Sequence, residues 1–278
     1  MKTGVFFHPL LSTEDWPIIG NKFMNFPKIL KEIIKRPNIE LFEDTSVEES
    51  LLYEVHTKDY IEDVKKRWYY QAAKLVVGGC VKAAEMVFTG KLKNALVFSV
   101  AAGHHAGPSS GWGGTYLSCT GPMVHNLRKK YKILRFAILD TDCHHGDGTR
   151  AMFKGDPNVL HVCFCNFNTI DEEETKIDID VGWQSSDIKY LELVEKEFSK
   201  RVKWFKPAMI IHNFGHDTSV GDYGDKGLTP AFFPYLASYI KELAEEVSDG
   251  KYIIITHGGA RRDVAEKIFP EIIKILAE

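Results

Sequence analysis

The stretch RFAILDTDCHHGDG, residues 135–148, decides the fold. Its first half is an almost unbroken apolar run that closes on an aspartate, and its second half is polar and glycine-bounded. A strand buried on both faces reads this way, because a parallel sheet covered by helices leaves neither face to water. A strand end that turns at once into Asp, His and Gly is where an open α/β sheet gathers its ligands.

Working outward, the pattern recurs. GVFFH (4–8), ALVFSV (95–100), VLHVCF (159–164), AMIIHN (208–213) and YIIIT (252–256) are further apolar runs. Segments of helical period lie between them. One runs from about 59 to 89 and is rich in Ala, Val and Met. Another, 187–205, carries Ile188, Leu191, Val194, Phe198, Val202 and Phe205 at steps of three and four. Residues 230–247 follow Pro230 and stop short of Gly250, and 261–277 is amphipathic. The alternation predicts βαβ units and a mostly parallel sheet covered by helices. No repeat, linker or boundary divides residues 1–278, which read as one domain. The DEEE run at 171–174 reads as a solvated loop.

Bulk properties narrow the partners. The 278 residues are 44% hydrophobic, enough for a large core, and carry a formal net charge of −3. That balance argues against a nucleic-acid or membrane-surface protein. No stretch approaches the ~18 apolar residues of a membrane span, and the N-terminal apolar run is too short for a signal peptide. The five cysteines, Cys80, Cys119, Cys143, Cys163 and Cys165, lack paired CxxC spacing. They read as reduced thiols, and the expected location is cytoplasmic.

Four of the apolar runs end in polar or glycine-rich sequence: GHHAG (103–107), DTDCHHGDG (140–148), GHD (215–217) and THGG (256–259). Asp142 and His144 are two apart, so at an extended strand end they point the same way and can hold one ion. Asp217 is the best-placed third ligand. Two carboxylates and one imidazole leave a coordination position open, as a catalytic zinc site does. The same donor set suits Fe(II) or Mn(II). Such an ion would polarise a carbonyl and activate water. The tandem His104 and His105 can supply base and acid, with Asp140 and Asp147 as carboxylates to fix their tautomers.

At these residues the sequence resembles the histone deacetylase superfamily, which includes acetylpolyamine amidohydrolases and acetoin-utilisation proteins. The metal segment stands intact as DTDCHHGDG, the His-His string as AAGHHAG, and a later segment as GHDTSVGDYGDKGLTP (215–230). Weaker echoes are HTKDYIEDV (56–64) and GGCVKAAEMVFTG (78–90). The resemblance implies the arginase-deacetylase fold, three layers with helices on both faces of the sheet. It implies zinc at Asp142, His144 and Asp217, and hydrolysis of the acyl-amide of a small amine or a lysine side chain. His104 and His105 would be the acid/base pair, hydrogen-bonded to Asp140 and Asp147 respectively. Gly113 matches a glycine whose carbonyl contacts the substrate amide.

Three departures accompany the resemblance. Ala260, in THGGARRDVA, stands where a tyrosine is expected to polarise the carbonyl, which leaves His257, Arg261 or another loop for that task. Gly114 stands where a channel phenylalanine is expected, with Trp112 as a candidate cover. Cys163 replaces a serine that helps bind a monovalent cation such as K, for which Asp140, Asp142 and His144 remain. A metal site at Cys163 and Cys165 is not expected, because both lie in an apolar strand. Two other functions stay open: a non-catalytic acyl-ligand or metal-binding protein, and a two-metal ureohydrolase-like enzyme. The oligomeric state is open too; an enclosed polyamine site would call for a dimer partner.

Overall fold

The computed structural model describes residues 1–133, 135–171 and 173–278. In chain order the strands are β1 (Lys2–Phe6), β2 (Ile39–Phe42), β3 (Leu92–Val97), β4 (Ala101–Ala102), β5 (Thr115–Leu117) and β6 (Phe136–Asp140). Then come β7 (Val159–Cys165), β8 (Thr169–Ile170), β9 (Lys176–Asp180), β10 (Ile210–Phe214) and β11 (Tyr252–Thr256). The first five helices are α1 (Phe26–Ile33), α2 (Glu49–Tyr53), α3 (Lys58–Val64), α4 (Tyr70–Phe88) and α5 (Thr120–Tyr131). The others are α6 (Asp147–Met152), α7 (Asp187–Val194), α8 (Lys200–Phe205), α9 (Phe232–Ser248) and α10 (Arg262–Ala277).

Nine strands form one sheet in the order β2-β1-β3-β11-β10-β6-β7-β9-β8. Every pairing is parallel except β8 with β9. The apolar runs make its centre because each must bury both faces. Helix α4 packs on β1, β3 and β11, while α9 and α10 pack on one another and on strands of the same sheet. The result is a three-layer α/β fold. Parallel pairing brings the carboxyl ends of β3, β11, β10 and β6 to one edge, where the reactive residues gather. No helix among the described residues is long and apolar enough to cross a membrane.

The structure changes several sequence expectations. The 59–89 segment is two helices, interrupted at 65–69. There Trp68 stacks on Trp16 at 5.3 Å between ring centroids and Tyr69 on Tyr116 at 3.9 Å, so the aromatic run is drawn sideways off the helical path. Segment 187–205 is helical, but a π-turn at Glu195–Ser199 lies between α7 and α8. The apolar stripe shifts with it: Ile188 is exposed and Tyr190 is buried. Strand β9, KIDID, alternates polar with apolar residues and was not among the expected strands. It is nonetheless buried over most of its length. The Lys176 Nζ donates to the carbonyls of Asp156 and Val159, and Asp178 is paired with Arg150 at 2.9 Å, so both buried charges have partners inside, although Asp178 Oδ1 accepts no hydrogen bond among the described residues. In the DEEE run, Glu173 and Glu174 are exposed, Asp171 accepts the Thr175 and Lys176 N–H groups, and Glu172 lies outside the described residues.

Candidate metal centre and histidine pair

Four chain segments build the site from strand ends. Asp140 ends β6, with Asp142 and His144 just beyond; Asp217 follows β10, and His257 follows β11. His104 and His105 follow the short β4.

Asp142, His144 and Asp217 converge together with Cys143, their ligand atoms lying within 4.8 Å of one another. The His144 Nδ1 stands 3.1 Å from Asp142 Oδ1 and 3.4 Å from Asp217 Oδ2. Backbone amides hold the carboxylates: the Gly258 N–H donates to Asp142 Oδ2 (2.8 Å), and the Cys143 N–H donates to Asp217 Oδ1 (3.1 Å). The other Asp217 oxygen, Oδ2, is buried without a hydrogen-bond partner. Burial, reinforced by the charge of Asp142, pushes the Asp217 carboxyl up to about 6. The same two carboxylates hold the His144 imidazole up at about 10. Two buried acids beside an imidazole, with an oxygen left orphaned, form a donor set that a divalent cation fits.

The histidine pair is backed as a base and an acid would be. The His104 Nδ1–H donates to Asp140 Oδ2 at 3.0 Å, and the His105 Nδ1–H to Asp147 Oδ1 at 2.6 Å. Each ring therefore has its Nε2 left for the pocket. Their environments diverge. Burial alone would lower His104, but Asp140, Asp142 and Asp217 outweigh it and hold the ring up at about 9. His105 is lowered, first by burial and then by the neighbouring His104 charge. Asp140 also accepts from Asn213 Nδ2 (3.1 Å) and is held well below the usual carboxylate range. His161 stands beside it, its Nε2 3.7 Å from Asp140 Oδ2, next to the place the resemblance gives a monovalent cation. There Cys163 Sγ accepts the Gly146 N–H at 3.3 Å.

Both groups open into one pocket of about 560 Å³, its mouth included. Gly113 sits at φ +57°, and a Cβ there would lie 2.6 Å from His105 Cδ2, so the backbone presses against the ring as only glycine can. Trp112 packs on His105 at 3.9 Å between ring centroids, tilted by 34°, and its indole N–H donates to Asp147 at 2.8 Å, so it orients the pair as well as lining the pocket. At Gly114 the wall is made by Ile18, whose Cγ1 would lie 3.3 Å from a Cβ at that glycine.

Two sequence candidates for the carbonyl-polarising group do not serve. Arg261 is turned away: its guanidinium pairs with Asp263 and donates to the Val220 carbonyl at 2.7 Å. His257 lines the pocket, but its Nδ1–H donates to the Ile255 carbonyl at 3.0 Å, and burial lowers the ring to about 4. A neutral ring with its proton on Nδ1 presents a lone pair at Nε2 and has nothing to donate. Ala260 is exposed. Its N–H and that of Arg261 donate to Asp222, which binds the 220–223 loop to the 258–261 loop. That tie brings in a residue not singled out from the sequence, Tyr223, whose hydroxyl accepts the Gly259 N–H at 2.8 Å.

A parallel sheet that carries two buried carboxylates beside an imidazole, and a carboxylate-backed histidine pair, at its strand ends defines a class of α/β proteins that gather their reactive residues at one edge of the sheet. The Histone deacetylase domain family model matches residues 66–276. The chain belongs to the histone deacetylase family. It is 31% identical over 261 residues to Histone deacetylase HDA1 of Candida albicans, covering 86% of this chain and 30% of that one. It is 26% identical over 304 residues to Histone deacetylase HDA1 of Saccharomyces cerevisiae, covering 99% and 42%. The chain thus spans less than half the length of these two relatives. A Probable deacetylase of Archaeoglobus fulgidus is 26% identical, covering 93% of this chain and 81% of its own length. The fold matches the crystal structure of the HDA15 HD domain with a TM-score of 0.87, at 19% identity and over 99% of this chain and 89% of that one.

Proposed function

We propose that this chain is a metal-dependent amidohydrolase that cleaves the N-acetyl or N-acyl amide of a small amine or a lysine side chain. One observation carries the reading: His104 and His105, each backed by a carboxylate, share a pocket with Asp142 and His144, and Asp217 stands behind these two within ligand distance. A divalent ion held by those three, zinc or alternatively Fe(II) or Mn(II), supplies a Lewis acid and a water of lowered pKa. The chain's own residues do the rest. His105, lowered and neutral at pH 7, takes the proton of the attacking water at Nε2. His104, hydrogen-bonded to Asp140, faces the negative charge that develops and is placed to stabilise it. The proton gathered by the pair goes to the leaving nitrogen, so that amide and water become carboxylate and amine. The exposed side chains of Ile18 and Trp112 give the pocket an apolar rim suited to an alkyl chain.

The test is to load the purified protein with Zn, Fe(II) or Mn(II) and assay a panel of acetylated polyamines and acyl-lysine peptides. One metal per chain and carboxylate release are expected, both lost in Asp217→Ala. A chain that binds stoichiometric metal and acylated ligand yet releases nothing would favour a second reading, an acyl-ligand binder, which Ala260 motivates. Failure to bind stoichiometric metal would sink the proposal.

A further inference from the structure

Asp142 Oδ2, Asp217 Oδ2 and Tyr223 Oη converge on one point. A Cβ on Gly258 would lie 2.5, 2.6 and 2.7 Å from them respectively. The phenol therefore borders the same small space as two proposed metal ligands, and its ring stands 5.7 Å from that of His144. It also lines the pocket that holds His104 and His105. Its position is fixed from two sides. The Gly259 N–H donates to the hydroxyl oxygen at 2.8 Å. The preceding Asp222 accepts from Ala260 and Arg261, which clamps the tyrosine's loop to the segment where the family tyrosine would otherwise stand. None of the hydrogen bonds among the described residues uses the hydroxyl's own hydrogen. A hydroxyl that accepts one hydrogen bond donates its hydrogen more strongly. Fixed beforehand, it stabilises a developing oxyanion without reorganising.

We infer that Tyr223 is the catalytic residue that hydrogen-bonds the substrate carbonyl oxygen and the oxyanion formed from it, in place of the tyrosine missing at position 260. The assignment rests on the amidohydrolase reading above. It moves the donor from the loop after β11 to the loop after β10, with Asp222 as its positioning residue.

The test compares wild type with Tyr223→Phe, which keeps the ring and removes the hydroxyl. With metal content and thermal stability equal, kcat on the best substrate should fall on the order of 10²–10³-fold, with KM changed by less than ~3-fold, since the lost interaction is made chiefly in the transition state. A second readout needs no turnover: the affinity of the metal-loaded protein for acetohydroxamate, whose carbonyl oxygen would accept the same hydrogen bond. It should weaken by about tenfold in Tyr223→Phe, on the order of one hydrogen bond to a charged group. Unchanged kcat in an active wild type would overturn the role of Tyr223 and leave the amidohydrolase reading standing. If wild type releases no carboxylate, that reading fails by itself, and the hydroxamate decides Tyr223: a weaker complex in the variant supports the hydrogen bond, and equal affinity overturns it.

Discussion

Gly113 fits its place only without a side chain. A methyl group there meets His105 at 2.6 Å and also faces the cost of a left-handed backbone. We expect Gly113→Ala to lower kcat on the order of 10²-fold by displacing the His105 ring. Thermal unfolding should show only about 1 kcal/mol of lost stability. A variant as active as wild type would show that His105 is not held by this contact. At this scale the sequence was most legible where chemistry is local. His104, His105, Asp140, Asp142, His144, Asp147 and Asp217 all end or follow apolar runs within a few residues; the structure brings His104, His105, Asp142 and His144 to one pocket, with Asp140, Asp147 and Asp217 directly behind them. Arg261 was misplaced because its charge suggested a donor, whereas Asp263, two residues on, claims it. Tyr223 could not be read, because its placement depends on Asp222 reaching a segment far along the chain. The one local signal was a lone Tyr in the GDYGD stretch.

The elements explain that gap. The 220–223 and 258–261 loops follow neighbouring parallel strands, β10 and β11, so a single carboxylate can bridge them. Asp222 is nearly buried and accepts three backbone N–H groups, those of Tyr223, Ala260 and Arg261. Its removal leaves these amides without their charged acceptor. Asp222→Ala should cost about 2 kcal/mol, a fall of roughly 4–8 °C in melting temperature for a chain of this size. Carboxylate release should fall together with it if the bridge positions Tyr223; a lower melting temperature with full activity would separate the two. Strands β1, β3, β6, β7, β10 and β11 were legible from unbroken apolar runs, with ends off by at most three residues, whereas the short β2, β4, β5 and β8 were not. Strand β9 escaped because Lys176 and Asp178 are buried in it and paired with groups distant in sequence. The interruption between α3 and α4 escaped for a related reason: Trp68 and Tyr69 take their partners from other segments.

For the molecule as a whole, buried neutral histidines set a pH limit. His56 donates from Nδ1 to the Gly107 carbonyl (2.8 Å) and accepts the Ser118 N–H (3.1 Å), beside the histidine-pair loop. Burial lowers it to about 4. In the unfolded chain it takes a proton near 6.5. Between pH 6.5 and 4 the unfolded state therefore binds more protons, and stability is lost as pH falls through that window. Between pH 7 and 5 this one group removes about 2 kcal/mol. His56→Gln can keep both hydrogen bonds and has no proton to gain. In urea unfolding at the two pH values, wild type should lose about 2 kcal/mol more than the variant over this interval. Equal losses would mean that His56 is charged in the native protein or open to solvent.

The site's dependence on four separated strand ends also bears on how the molecule comes together. Asp142 and Asp217 meet only once β10 has paired with β6, which joins segments distant along the chain. Such pairing is slow, because chain entropy is spent before contacts repay it. A metal ion therefore finds no complete cradle in the unfolded chain and cannot seed folding there. On the proposed reading the ion would enter a sheet already assembled and would act afterwards as a lock that slows unfolding.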